Sequence, residues 1–393
     1  MQKKENRLSH VLLIYRKMIP SIRLCGHCQM EYLAQEGRIE YRAVQEMKLK
    51  TSDLNWADIV LLGRLDSWYE YQITRKLRKA GKTLIYIIDD DLLNIPPEIS
   101  SAAYYGQKEI QGYIRGMIEM SNAILSPSPL LLKKYAVNGR RGIRIEEPAI
   151  DPVPYKPHDP DKPVKIGFAG SIDRTGDLEG ILKDALLSIK REYGDRVEFE
   201  FFGAIPSFAE ELNARCIPYC DSYDAYRKTL NSLEWDIGLA PMPDTPFHAC
   251  KHYNKFVEYA AAGIAGIFSD IEPYSRLKAL RVPCVFSNNN ADEWVLRINE
   301  LVSDFKKRER LRRACLQYSI EDLSIQKCAL ALLYEEKLND MAAKGKSKRI
   351  IVGMSAYKLY GMLQKIKNSC NTYGWKLPWI AVKKIYYCMR NAN

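Results

Sequence analysis

The sequence predicts an α/β protein of two doubly wound parallel-sheet halves with a basic, amphipathic C-terminal tail. Three observations lead there. Short apolar runs alternate with helical stripes along most of the chain, the βαβα rhythm of parallel sheets covered on both faces. A proline- and charge-rich break over residues 146–160 divides that rhythm in two. The charge is also lopsided: eleven of the 59 Lys and Arg lie from Lys344 onward, where no Asp or Glu occurs. Setting those eleven aside leaves 48 basic against 48 acidic residues, so a neutral body carries a basic tail.

At 393 residues the chain has room for two domains of about 150 residues each. Its 47% apolar and 27% charged fractions are those of an ordinary globular protein. The opening MQKKENRLSH is polar, so no signal peptide is expected. No run approaches the roughly 18 apolar residues of a membrane span. The ten cysteines are therefore expected as reduced thiols of a cytoplasmic protein. Cys25-Gly26-His27-Cys28 has the spacing of half a zinc site, but no second pair completes four ligands.

In the first half (1–150), strands are expected over residues 11–15, 39–44, 59–63, 83–88 and 123–126. Tyr69, Ile73, Leu77 and Ala80 recur at helical spacing and stop at Gly81, a C-cap signal. Ile110, Tyr113, Ile114 and Met117 mark another helix. Residues 151–163, with prolines at 152, 154, 157, 160 and 163, read as an extended linker. The pattern restarts over 164–343. Strands are expected at 164–169, 197–203, 237–240, 264–268 and 283–286, with one helical stripe from Leu178 to Ile189 and helices from 292 to 344. Two such halves place the natural ligand site in a cleft between them.

The stretch from Trp235 to Asp270 is the most informative. A strand at 237–240 enters a proline-broken loop with Asp244; Lys251 follows, then a helix with Lys255 and Glu258 that ends Ala260-Ala261-Ala262-Gly263. Strand ends feeding helix N-termini are where α/β proteins bind phosphates. A cation at the helix entry and a carboxylate two turns on suit a diphosphate and a ribose.

At Gly170-Ser171, at Phe202-Gly203 and from Asp236 to Glu258 the chain resembles a GT-B glycosyltransferase with two Rossmann-like domains. It is similar to the family 4-like and family 1-like transferases of bacterial surface-glycan clusters over roughly residues 10–340. The resemblance implies a nucleotide-diphosphate sugar donor in the second domain, with Gly170, Ser171, Arg174, Lys251 and Lys255 at the diphosphate and Glu258 at the ribose. It implies a saccharide or lipid-linked acceptor on the first domain, facing residues 16–28 and Arg64. Many retaining members have Glu eight positions before the ribose carboxylate; here that position is Cys250. Asp244 is the substitute carboxylate in the same loop, and Asp90 of the Asp89–Asp91 turn and His27 are the other candidates for the catalytic base. His248 and His252 flank the nucleotide loop and are candidate donor contacts, while His10 is expected to be structural.

Bland readings stand beside these. Glu258 and Lys251 could be solvated surface charges, and Arg174 a surface arginine. The three aspartates could bind a cation, but strand-end Asp more often caps a helix, and GT-B enzymes neutralise the diphosphate with cations and helix dipoles. No metal and no cofactor beyond the donor are expected. The tail, with Trp375, Trp379, Tyr386 and Tyr387 among its lysines, suits an anionic membrane surface at the inner face of the cell membrane, or equally a helix packing back on the first domain. Nucleic acid is not an expected partner, because the charge is confined to the tail. The rivals to transfer are a degenerate, non-catalytic nucleotide-binding scaffold and a nucleotide-sugar epimerase of the same fold.

Overall fold

The computed structural model describes residues 8–220, 222–334, 336, 338–341 and 347–373. The chain forms two units: Met1–Ile145 with Ala329–Asn393, and Glu146–Cys328.

The sheet of the first unit has β1 (His10–Tyr15), β2 (Glu40–Gln45), β3 (Ile59–Gly63), β4 (Thr83–Ile87), β5 (Ala123–Ser126) and β6 (Arg141–Arg144) in the order β2-β1-β3-β4-β5-β6, all parallel. The inner strands β3, β4 and β5 are buried at every residue, as strands covered on both faces must be. The sheet of the second unit has β7 (Val164–Gly170), β8 (Val197–Gly203), β9 (Arg215–Ile217), β10 (Ile237–Ala240), β11 (Ala265–Ser269) and β12 (Val285–Ser287) in the order β12-β11-β10-β7-β8-β9, again parallel. Chain order reverses between β1 and β3 in one sheet and between β7 and β10 in the other. Those reversals are the topological switch points where open α/β sheets bind ligands.

The edge strands β6 (RGIR) and β9 (RCI) are absent from the sequence expectation. They are short and polar, and only pairing with a neighbouring strand makes them strands. The expected single helix over the 178–189 stripe breaks at Leu182 into Thr175–Ile181 and Lys183–Tyr193. Helix Trp68–Lys79 buries Tyr69, Ile73 and Leu77, and Gly81 follows it at φ 78°. Leu178, Leu186, Ile189 and Trp294 fill one face of the second sheet, and Trp235, Phe256, Tyr259 and Phe268 the other.

Two segments differ from a simple tether-and-tail picture. The proline-rich stretch has no helix or strand, yet it is docked along the second unit: Ala149 N–H donates to Leu323 O (2.8 Å) and Val153 N–H to Ala261 O (2.9 Å). The second unit ends at Cys328 where the sequence reading carried it to 343; Ala329, Leu332 and Leu333 join the core of Val11, Leu13 and Ile85. In the tail, helix Met354–Tyr373 packs on helix Trp68–Lys79, with the Tyr360 ring 4.3 Å from Trp68 and Lys365 paired to Glu46. A Cβ at Gly361 would stand 2.5 Å from Tyr69 Cβ, so glycine there permits the close approach. Trp375, Trp379, Tyr386 and Tyr387 lie outside the described residues. No helix of the described residues is long and apolar enough to cross a membrane.

Candidate functional site

The switch point of the second sheet is held open by one side chain. β10 pairs with β7 only at Ile237↔Ile166 and Gly238↔Gly167. Beyond that the strands part, and the buried Tyr259 hydroxyl fills the gap, accepting from Ala169 N–H (3.3 Å) and donating to Leu239 O (2.9 Å). Burial pushes this phenol up, so it keeps its proton. Gly238 makes room for the ring, since a Cβ there would lie 2.7 Å from it. The carboxyl ends of β7 and β10 therefore diverge into the kind of crevice that binds ligands in this class of sheet. On the other side of β7, Gly203 ends β8 at φ 88°, and a Cβ on it would stand 2.1 Å from Gly170 O. Ala204 N–H caps that same carbonyl at 3.0 Å, so the Phe202-Gly203 end of β8 fixes the turn at Gly170.

Charged groups gather at this opening. Arg174, in the turn after β7, reaches across to Pro241 O at 2.5 Å and pairs with Asp177. Burial raises the Asp177 carboxyl, while Arg174 and then Lys251 oppose the rise. Lys251 Nζ rests 4.6 Å over the Phe247 ring, and Arg276 holds the Lys251 carbonyl at 2.7 Å. Burial raises the Tyr274 phenol, and Arg174, Glu258 and Asp177 all act on it electrostatically. These charges therefore share one neighbourhood.

Glu258 lies on helix Asn254–Ala261 and is 8% exposed. Its Oε2 accepts from Lys255 Nζ (2.6 Å) and from Tyr226 Oη (2.7 Å), and Lys255 Nζ also reaches Tyr226 Oη at 3.0 Å. The Tyr226 ring stacks on Phe202, 5.1 Å between centroids, and Arg227 anchors the helix through Glu258 O at 2.9 Å. Glu258 is thus a fixed carboxylate rather than a solvated one. Behind the loop after β10, Ser269 Oγ accepts from Met242 N–H and donates to Asn289 Oδ1, whose Nδ2 returns to Met242 O. That ring of bonds sets where the loop starts.

The remaining sequence candidates fall in different places. Ser171 and Asp244 are exposed, in the turns after β7 and β10. His248 is buried and its Nδ1 bonds Thr245 Oγ1 at 2.7 Å. His252 is buried beside Asn254, Glu146 and Glu147, and Cys250 is buried at the end of helix Pro246–Ala249.

Asp90 and His27 belong to the first unit, and they are not together there. Asp90 Oδ2 stands 3.5 Å from Arg64 Nη1, the same guanidinium that binds both oxygens of Asp89 at 2.8 and 3.0 Å. Asp91 is spent on Lys134, Tyr135 and Asn94, so the three aspartates neither cap a following helix nor converge on one point. Contrary to the expectation of a cleft-facing loop, His27 packs against the second residue of β2: Nδ1 is 2.9 Å from Tyr41 Oη and Nε2 3.4 Å from Glu31. Tyr41 pairs in register with Val11, near the start of β1 and away from the strand carboxyl ends. Burial lowers the His27 imidazole, Glu31 opposes and Arg23 adds to the lowering. His10 stacks on Trp56 at 4.8 Å.

Among the described residues, His158, Asp236 and Glu309 bring ligand atoms within 4.8 Å of one another. Arg308 already binds Asp236, and Arg312 binds both Glu309 and His158. Two guanidiniums make this a satisfied ionic bracket rather than a cation site. Sequence reading missed Tyr226, Arg227, Tyr259 and Asn289, whose partners lie far along the chain, and Asp177, which pairs with Arg174 one turn away; only Tyr259, next to Glu258, fell inside the stretch singled out.

No protein-family model matches the chain, and no curated protein matches it. Solved structures match its fold. HepE of Anabaena, in complex with UDP and glucose, gives a TM-score of 0.57 at 10% identity over 84% of this chain and 100% of that one. A glycosyltransferase of Rickettsia africae gives 0.57 at 13% identity over 86% and 100%. A Listeria monocytogenes protein described as a UDP-N-acetylglucosamine 2-epimerase gives 0.51 at 13% identity over 88% and 100%. The fold is GT-B: two Rossmann-like doubly wound units.

Proposed function

We propose that this chain transfers a sugar from a nucleotide-diphosphate sugar to a hydroxyl of a saccharide or lipid-linked acceptor, in the manner of the family 4-like and family 1-like surface-glycan transferases. The observation that carries the reading is the fixed carboxylate of Glu258, bracketed by Lys255 and Tyr226, in a sheet whose switch-point crevice gathers Arg174 and Lys251.

In this reading Glu258 accepts the ribose hydroxyls. Arg174, Lys251 and the N-terminal amides of helix Asn254–Ala261 take up the negative charge that develops on the departing diphosphate. Lys255 holds Glu258 in place through its Nζ–Oε2 bond. No metal is assigned, since these cations do the neutralising, and no cofactor is assigned beyond the donor itself. Asp244, exposed in the loop after β10, is the carboxylate best placed in the second unit to act on the acceptor or the sugar; Asp90 is the first-unit alternative. His27, held by Tyr41 and Glu31, is the weakest of the three.

Calorimetric titration with UDP, GDP, ADP and CMP tests the reading. One diphosphate should bind the wild type at micromolar concentration, and the double variant Lys251→Ala with Glu258→Ala should lose at least about tenfold, the cost of one charge-assisted hydrogen bond. No binding of any nucleotide to the wild type refutes it. Because an epimerase shares the fold, the bound donor is then incubated alone: an altered sugar with no acceptor present selects epimerisation over transfer.

A further inference from the structure

We propose that the outward face of helix Met354–Tyr373 docks on an anionic lipid bilayer. This helix buries one face and leaves apolar side chains on the other. Towards helix Trp68–Lys79 it turns Tyr357, Tyr360, Gly361 and Lys365, with Lys365 committed to Glu46, 3.7 Å from Glu70, while Asn368 is buried. Away from the body it turns Leu359, 56% exposed, and Leu363, 55% exposed, one helical turn apart. Ile351, just before the helix, is 79% exposed. Leucines at i and i+4 facing water while a lysine and an asparagine face protein are a costly arrangement unless something apolar covers them.

The charge says what the cover is. The described tail carries Lys348, Arg349, Lys358, Lys365 and Lys367 with no acidic residue. The chain continues past Tyr373 with Trp375, Lys376, Trp379, Lys383, Lys384, Tyr386, Tyr387 and Arg390, again with none. Leucines bordered by lysines, with tryptophan and tyrosine following, match the acyl–headgroup boundary of an anionic leaflet. A second copy of the same face would oppose like charges. Each lysine or arginine near an anionic surface contributes attraction that salt screens, and each leucine adds apolar burial that salt does not remove. The inference is independent of the nucleotide reading and survives its failure.

The test is co-sedimentation of the full chain with vesicles of phosphatidylcholine alone and of phosphatidylcholine with an equal part of phosphatidylglycerol. The wild type should partition onto the anionic vesicles, not the neutral ones, and should release as salt is raised. Leu359→Ser with Leu363→Ser should lower the partition coefficient at least about tenfold, with an unchanged melting temperature to show that the helix still docks on its own unit. Lys358→Gln with Lys367→Gln should weaken binding and flatten its salt dependence. The proposal is overturned if the wild type ignores anionic vesicles, or if the leucine variant binds them as well as the wild type. It is equally overturned if light scattering without lipid shows a dimer that the leucine substitutions dissociate, since a second copy would then be the cover.

Discussion

Substituting Gly203 by alanine should damage both the stability of the second unit and its crevice. The residue sits at φ 88°, outside the small left-handed region that side chains tolerate, and the new Cβ would stand 2.1 Å from Gly170 O. Backbone strain of this kind costs about 1–3 kcal/mol. The overlap is with a main-chain oxygen, not a flexible side chain, so β7 and β8 must move apart by about an ångström, an overpacking cost of about 1–3 kcal/mol. The sum, about 4 kcal/mol, should lower the melting transition by about 8–16 °C in a unit of this size. Gly194→Ala is the control: it too has a positive φ, 58°, but nothing lies within 4 Å of its Cβ, so it carries strain alone. Differential scanning calorimetry reads both. Because the carbonyl displaced is that of Gly170, at the mouth of the proposed diphosphate site, UDP affinity should also fall about tenfold in Gly203→Ala and remain in Gly194→Ala. A Gly203→Ala protein that melts no lower than Gly194→Ala would refute the account of the β7–β8 turn.

Two further outcomes are expected. Tyr226→Phe keeps the ring on Phe202 but removes one of the two groups holding Glu258; stability should fall by about 1 kcal/mol and nucleotide affinity by severalfold in the same titration. Asp236 contributes to the acid limb of stability. Burial alone would raise its carboxyl, but bonds from His158 and the Lys165 amide, with the charges of His158 and Arg308, hold it below its ordinary value. The unfolded chain then takes up the proton first, so this stability is full above the ordinary carboxylate pKa of about 4 and is lost as pH falls through the lower folded value. Asp236→Asn should flatten that limb in denaturation measured against pH, and should cost about 3–5 kcal/mol at neutral pH by leaving Arg308 buried without its partner.

Much of the architecture was legible because its signals are local. Four-residue apolar runs such as Ile237–Ala240 and the Tyr69, Ile73, Leu77 stripe announce themselves within a few residues. β6 and β9 did not, since RGIR and RCI carry no apolar pattern and become strands only against β5 and β8. Position on a local motif also picked out Gly170, Ser171, Arg174, Lys251, Lys255 and Glu258; Gly170 ends β7, Ser171 and Arg174 lie in the turn after it, and Lys255 and Glu258 lie on helix Asn254–Ala261. The same reasoning placed His27 in a cleft-facing loop, because a loop after a strand says nothing of which way the following helix turns its histidine; Tyr41, on another strand, decides that.

The sequence alone determined the two-sheet α/β plan, the neutral body with its basic tail, and the loop-and-helix segment around Glu258, because periodicity, proline and glycine act over a turn or a strand. Only the tertiary structure decided what those residues touch. Tyr226 reaches Glu258 from 32 residues away and Tyr259 bridges β7 to β10 across 90. The tail helix presents its leucines outward because Lys365 finds Glu46, 319 residues earlier. Such pairings are set by how strands are ordered and helices laid over them, and no spacing in the chain encodes them.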